Sequence, residues 1–563
     1  MVMQNMEYCL EDVHECSANY VPLTPISFLE RAATVYGNKT SIVYGSVTYS
    51  WKETHETCLK LASALAGGSL LQISRGDIIA AMAPNIPALY KLHFAVPMAG
   101  AVLCALNTRL DAANLASILQ DLEAKIMFVD YQSVEVVLKA LEILSQKKEN
   151  SKKPPLLVII PPDCDRDQAR ISSIDNKHTS GILDYNAVLE MGRSDFEMVQ
   201  PENEKDPISV NYTSGSTGDP KGVVYSHRGA YLNSLAQVSR LEMGEMAVFL
   251  WTVDMFRCNG WCCAWAMAAL GGTNICLREV SARTIFDSIL AHQVTHLCGA
   301  PALLNIIADS TTPSRLQMRP LQSKVNVLIA GVLPAAQVVE QVAKIGFNIG
   351  HAYGMTEVLG PAIAGPWRLE CNSGKIECCN RQGIHSVWIP QVDVKDPNSM
   401  RSVASDGKTF GEVMFKSNTL MLGYLKNQKA TQEAFRDGWF HTGDLAVKHP
   451  DGCIEIKDRR RDIIVSGVET ISSLEVEAVL LSNPMVLEAA VVGKADAELK
   501  QVPCAFVKLK EGCDQASPQE LVEFCGGHLP SHMVPRAIVF GDIPVNSTGK
   551  VQKFVLREKA NNV

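Results

Sequence analysis

Short apolar runs alternate with longer amphipathic stretches along most of this chain, and that alternation limits the fold more than any other feature. Ile126–Val129, Leu156–Ile160 and Val325–Ile329 read as buried strands, and Cys58–Ala66 and Ala335–Val342 between them read as helices. Apolar runs with no polar face belong to strands covered on both sides, so the pattern predicts an α/β architecture with mostly parallel sheets flanked by helices. At 563 residues the chain exceeds what one hydrophobic core sustains, which predicts two or more domains. A balance of 47% hydrophobic and 20% charged residues excludes a disordered or fibrous chain.

Late in the chain the rhythm changes. A charged run, Lys457-Asp458-Arg459-Arg460-Arg461-Asp462, leads into an apolar strand at Ile463-Ile464-Val465. Two helix starts come after it, Ser472 with Glu475 and Ser517-Pro518 with Glu520, each in the spacing of a capping box. Strand-like segments Ala489–Val492 and Cys504–Val507 lie between them. The reading is a large unit over 1–458 and a small α+β unit over 459–563.

Several functions are excluded early. A net charge of −8, from 52 Lys+Arg and 60 Asp+Glu, gives no broad basic surface for nucleic acid. The 17 cysteines form no CxxC pair, so reduced thiols filling a core are expected, not a zinc site. The run Phe94–Leu106 is too short to span a bilayer and contains Pro97, so no stable membrane insertion is expected. Acidic residues at Glu7, Glu11, Asp12 and Glu15 argue against a leader, and Asn561-Asn562-Val563 is not a peroxisomal tripeptide. These features set a cytosolic expectation. His292 and His296 stand four apart without the glutamate of a zinc protease and are read as packing residues, and no serine hydrolase elbow is present. The oligomeric state is not legible.

One run carries chemistry. Tyr212-Thr213-Ser214-Gly215-Ser216-Thr217-Gly218-Asp219-Pro220-Lys221-Gly222 joins hydroxyls, glycines and one lysine. Glycines let successive backbone N–H groups turn toward one anion, while the hydroxyls and Lys221 add donors and charge, so the ligand of such a loop is a polyphosphate. The spacing is not that of a Walker A loop.

Taken with four later segments of the chain, this loop resembles the acyl-adenylate-forming superfamily of acyl-CoA synthetases, peptide-synthetase adenylation domains and luciferases. His351–Glu357 resembles its second nucleotide motif, Trp439–Asp444 its ribose motif, Asp458–Asp462 its hinge and Asn546–Lys550 its terminal lysine motif. Asn19–Pro25 and Cys258-Asn259-Gly260-Trp261 are most similar to the plant carboxyl-CoA ligases. The resemblance implies ATP, Mg²⁺ and coenzyme A as co-substrates and cofactor, a small carboxylic acid as substrate, and a mobile C-terminal unit. Thr213, Ser214, Gly215, Ser216, Thr217, Gly218 and Lys221 would then surround the β- and γ-phosphates. Thr356 would meet the α-phosphate and Glu357 would hold Mg²⁺. Gly331, Val332, Ala352, Tyr353 and Gly354 would form the adenine slot, and Asp444 would accept the ribose hydroxyls with Arg459 in support. Lys550 would bridge the acid's carboxylate and the α-phosphate. Arg461 would be the hinge and Gly467 would line the pantetheine channel.

For the acyl pocket the resemblance points to Asp254, Arg257, Cys258, Leu333 and Met355, and here the chain departs from the family pattern. Asp254 and Arg257 replace a usual proline and histidine, Val332-Leu333 replaces a small residue and proline, and Val468 replaces a glycine. An ion pair between Asp254 and Arg257 would leave a small apolar pocket for short, branched or small aromatic acids. Charges turned to the substrate would select a dicarboxylic or amino acid instead. Two other readings stay open: an adenylate-forming enzyme with another acceptor, and a non-catalytic nucleotide-binding relative.

Overall fold

The computed structural model describes residues 18–67, 71–146, 153–162, 182–213, 220–309, 321, 323–331, 336–365, 384–385, 389, 391–513, 515–546 and 550–562. Its strands form four sheets. In the nine-stranded sheet the middle strands, among them Val248–Leu250, His296–Gly299, Val325–Ala330 and Phe347–Met355, run parallel. In the eight-stranded sheet Ile78–Met82 runs parallel to Val102–Ala105 on one side and Ile126–Asp130 on the other. The expected strands and helices are present, the helices as Trp51–Gly67 and Ala336–Ile345.

The two large sheets share one core, in which Phe249 and Trp251 of one meet the same cluster as Ile79 and Phe128 of the other. Helix Pro87–Met98 lies within that core with every residue buried. The apolar run Phe94–Leu106 is therefore the end of a core helix and the strand Val102–Ala105. Among the described residues no helix is long and apolar enough to cross a membrane. Arg278 staples the sheets together: its guanidinium meets both oxygens of the fully buried Asp130 at 2.9 and 3.0 Å and donates to the Tyr44 hydroxyl at 2.9 Å.

A third sheet was not foreseen. Gln391–Lys395, Gly411–Lys416, Phe440–Lys448 and Ile454–Arg459 pair antiparallel throughout. Its strands interleave polar residues such as Asp393, Glu412 and Lys457 with apolar ones, which hides them from a search for continuous apolar runs.

After Arg459 a further sheet begins at Ile464–Ser466. Along Val486–Asp496, Val491 faces a core with Val476, Leu480 and Leu521, while Ala490 and Val492 face one with Leu556, the two-residue period of a strand covered on both sides. Helices Ser473–Ser482, Pro518–Gly526 and Lys553–Ala560 supply the cover. Ser472 accepts the Glu475 N–H as expected, and Ser517 with Glu520 completes a reciprocal capping box. This unit rests on the third sheet, where the Asp458 carboxylate accepts from the Ser473 N–H at 2.7 Å and Lys457 meets Glu475 at 2.7 Å.

Candidate active site

Antiparallel register sets the first part of the site. Asp444 stands opposite Arg459 in the third sheet, with Arg459 Nε 3.6 Å from Asp444 Oδ1. Tyr353, near the end of a strand of the nine-stranded sheet, reaches across and donates its hydroxyl to Asp444 Oδ2 at 2.7 Å. The Tyr353 ring stacks on Phe415, with centroids 6.3 Å apart and planes 17° apart. Burial pushes the Asp444 carboxyl above its ordinary range, opposed by Arg459, Tyr353 and Lys550. Glu412, missed in the sequence, is buried beside them; it accepts the Gly443 N–H at 2.9 Å and faces His441, which fixes the corner that presents Asp444.

Parallel pairing brings Ala330 level with Ala352, and Gly331 accepts a bond from His351 Nε2 at 2.6 Å. Gly354 is required by sterics, because a Cβ there would lie 1.9 Å from the Gly360 carbonyl oxygen. Beyond it the chain turns through Thr356–Val358. The Tyr225 hydroxyl donates to the Thr356 carbonyl at 2.6 Å, and the Tyr424 hydroxyl donates to Glu357 Oε1 at 2.9 Å. Lys221 Nζ sits 5.4 Å from the centre of the Tyr424 ring, so the lysine after the loop and the Thr356–Glu357 turn come together. Thr213 closes the base of that loop through two bonds with Lys221. Ser214, Gly215, Ser216, Thr217 and Gly218 lie outside the described residues, as do Val332 and Leu333.

On the other side of Thr356 the segment from Asp254 to Cys262 forms a wall. The Asp254 carboxylate takes Arg257 Nε at 2.8 Å and Arg109 at 2.7 and 3.4 Å. Asp254 and Arg257 thus pair, as one of the two expectations had it, and Arg109 joins from 145 residues away. Cys258 faces Thr356 and Tyr225, and burial pushes its thiol up to about 11. Cys258, Asn259, Gly260, Trp261 and Cys262 are consecutively left-handed, with φ of 46, 46, 57, 54 and 63°. Each left-handed residue with a side chain costs about 1–2 kcal/mol, so the turn is held by its surroundings.

Lys550 arrives from the C-terminal unit. Its N–H donates to Asn546 Oδ1 at 3.0 Å and the Asn546 N–H returns a bond to its carbonyl. Desolvation first, then repulsion by Arg459 and Arg257, lowers the proton affinity of its ammonium, although the residue keeps some surface in solvent. Cys258 and Asp444 act on it in the opposite sense. The terminal lysine, the Asp444–Arg459 pair and the Arg257–Cys258 wall therefore converge on one place. Arg461 lies close enough to feel Arg459 and Asp444, but Gly467 does not join them; it is exposed at the tip of the hairpin between Ile464–Ser466 and Glu469–Ile471. Among the described residues no group of histidine, cysteine and acidic side chains forms a ready metal cluster, and the described cysteines are free thiols. His296 bonds the Leu241 carbonyl, a packing role. Tyr225, Tyr424 and Arg109 carried no motif signal, since each reaches the site only through tertiary contact.

Together these features define a two-unit nucleotide-activating protein of acyl-adenylate-forming type. The chain belongs to the AMP-binding enzyme family, whose model matches residues 29–425, with the AMP-binding enzyme C-terminal domain matched over 475–550. It is 44% identical to an acetate–CoA ligase, CCL3, of Humulus lupulus, over 98% of this chain and 97% of that one. It is 43% identical to a peroxisomal benzoate–CoA ligase of Arabidopsis thaliana, over 98% and 96%. The anthranilate CoA ligase AuaEII, solved with anthranoyl-AMP, shares the fold at a TM-score of 0.80 and 22% identity, over 96% of this chain and 98% of that one. These relatives correct the cytosolic expectation. The benzoate–CoA ligase is labelled peroxisomal, as is the butyrate–CoA ligase AAE11. Lack of one C-terminal tripeptide speaks only of one receptor-read address and says nothing of the others.

Proposed function

We propose that this chain is an ATP-dependent, AMP-forming carboxylate–CoA ligase for a small acid, and that it acts in the peroxisome. The convergence of Lys550, Asp444, Arg459, Arg257 and the Thr356–Glu357 turn carries the reading. In the first half-reaction an acid carboxylate oxygen attacks the α-phosphorus of ATP and pyrophosphate leaves. In the second, the coenzyme A sulfur attacks the acyl carbonyl, loses its proton and displaces AMP. Charge accumulates on phosphate oxygens in the first step, so preplaced cations and donors are what the protein must supply.

Asp444 keeps lone pairs for the ribose hydroxyls beside its bond from Tyr353, and Arg459 favours its ionised form against the effect of burial. Lys221 and the loop that Thr213 closes serve the outer phosphates. Glu357 and the Thr356 hydroxyl are hard oxygen donors of the kind Mg²⁺ takes, and the bound ion would neutralise phosphate charge. Lys550 reaches both the acid's carboxylate and the α-phosphate. Arg459 and Arg257 beside it make the surroundings positive, which suits the two anionic groups it would bridge.

The Asp254–Arg257–Arg109 network favours a short, branched or small aromatic acid over an amino acid, because its carboxylate is already shared by two guanidiniums and is not left for a substrate ammonium. Relatives named for acetate, 2-methylpropanoate and benzoate support that range. The end of the third sheet at Arg459 and the start of the next at Ile464 support a domain boundary near Arg459, with Arg461 as the hinge. Pyrophosphate exchange and thioester formation over a panel of acetate, isobutyrate, benzoate, succinate and alanine test the proposal. Exchange without thioester would move the chain to another acceptor, and neither activity with any acid would make it a non-catalytic relative.

A further inference from the structure

The left-handed turn at Cys258–Cys262 is strained, and besides Asn233 of helix His227–Arg240, which reaches Cys262, side chains of the other large sheet hold it. Asn211 does most of this work. It is 1% exposed and lies on strand Pro207–Tyr212; its Nδ2 donates to the Phe256 carbonyl at 3.1 Å, and its Oδ1 accepts the Asn259 N–H at 2.8 Å. Those two bonds bracket Arg257 and Cys258, the wall residues that meet Lys550 and Thr356. Ser209, two residues earlier on the same face of the strand, donates to Asn259 Oδ1 at 2.7 Å. Asn85 fixes the approach to the turn, donating to the Trp251 and Val253 carbonyls at 3.0 and 2.9 Å and accepting the Met255 N–H at 2.8 Å.

We propose that Asn211 is a positioning residue for the acyl group, acting through the Arg257–Cys258 wall, and this rests on the ligase reading above. Asn211 stands two residues before Thr213, so one strand end carries both the start of the phosphate loop and the clamp on the acyl wall. Removing the clamp frees Phe256 and Asn259 from their bonds and lets Arg257 and Cys258 drift, since nothing intrinsic to four left-handed side-chain-bearing residues keeps them there. Misplacement on the scale of an ångström near reacting groups costs up to a hundredfold. The ribose end of the site, built on the third sheet and Tyr353, is untouched by the change.

The full chain is tested as N211A and S209A, by titration calorimetry with AMP and with the stable adenylate mimics butyryl- and benzoyl-sulfamoyl adenosine. For N211A the expected result is AMP affinity within about twofold of the parent and a loss of roughly tenfold or more for both mimics. S209A, which removes one bond to the same turn, should show the same split at smaller size. A folded N211A that binds the mimics as the parent does overturns the proposal. An equal loss for AMP and mimics also overturns it, since that is a general loss of fold. If N211A does not fold, S209A is judged by the same two criteria. Failure of the ligase reading looks different: the parent would bind AMP and mimics yet make neither adenylate nor thioester.

Discussion

Lys550 is the residue on which the proposed chemistry turns, and its surroundings give the reason to test it first. Arg459 and Arg257 already crowd it with positive charge, so it is poised for an anion that lies between them. Lys550→Ala should lower the rate of pyrophosphate exchange by about 3–4 kcal/mol of barrier, two to three orders of magnitude. Thioester formation from supplied acyl-AMP should persist in the same variant. If both half-reactions fall together in a folded protein, Lys550 does not belong to adenylation alone. At this scale the motif residues were legible because each motif is local. Asp254 and Arg257 could be paired on paper from their spacing of three, whereas Arg109 could not, because only the sheet brings it across 145 residues.

Elements carry the stability of the site. The Arg278–Asp130 staple joins the end of strand Ile126–Asp130 to the nine-stranded sheet, and Asp130 is wholly buried. Arg278→Ala would leave that carboxylate uncompensated and should cost about 3–5 kcal/mol in chemical denaturation. A shift under 1 kcal/mol would mean the two sheets do not depend on it. Acid should act through two histidines. His93, on the buried helix Pro87–Met98, and His227, at the start of helix His227–Arg240, are each pushed down from 6.5 to about 4, chiefly by burial. Both are neutral in folded and unfolded chains above pH 6.5, and below it only the unfolded chain takes up the proton. Stability should therefore fall as pH drops from 6.5 toward 4, by about 1.4 kcal/mol per pH unit for each histidine. Urea midpoints at pH 7, 6 and 5 measure this, and His93→Gln, if it folds, should flatten the slope. No feature of the sequence marked these histidines, because burial of a helix on all sides is a property of the packed molecule.

For the whole molecule, the ligase reading proposed above asks two faces of the C-terminal unit to serve one site. Lys550 stands beside Arg459 and Arg257 while Gly467 and Val468 form an exposed hairpin tip, with Val468 97% exposed. Rotation near Arg461 would exchange them. Gly467→Leu should leave pyrophosphate exchange intact and abolish thioester formation. The φ of +62° at Gly467 penalises any side chain, so Gly467→Ala serves as the control for backbone strain. Normal thioester formation in the leucine variant would remove Gly467 from the coenzyme A path. The same rotation must break the bonds of Asp458 to Ser473 and of Lys457 to Glu475, which span the hinge in this arrangement.

By itself, the sequence determined the α/β class, the change of rhythm near Arg459, the helix caps at Ser472 and Ser517 and the residues of the nucleotide motifs. Each of these depends on neighbours a few positions apart, through periodicity, capping or backbone freedom. Only the tertiary structure decided the antiparallel third sheet, the Tyr353–Asp444 bond, the Asp254–Arg109 pair and the Asn211 clamp on a left-handed turn. Those depend on which strands become neighbours and in what register, and a hydrogen bond between Tyr353 and Asp444 has no local trace in a chain where 91 residues separate them.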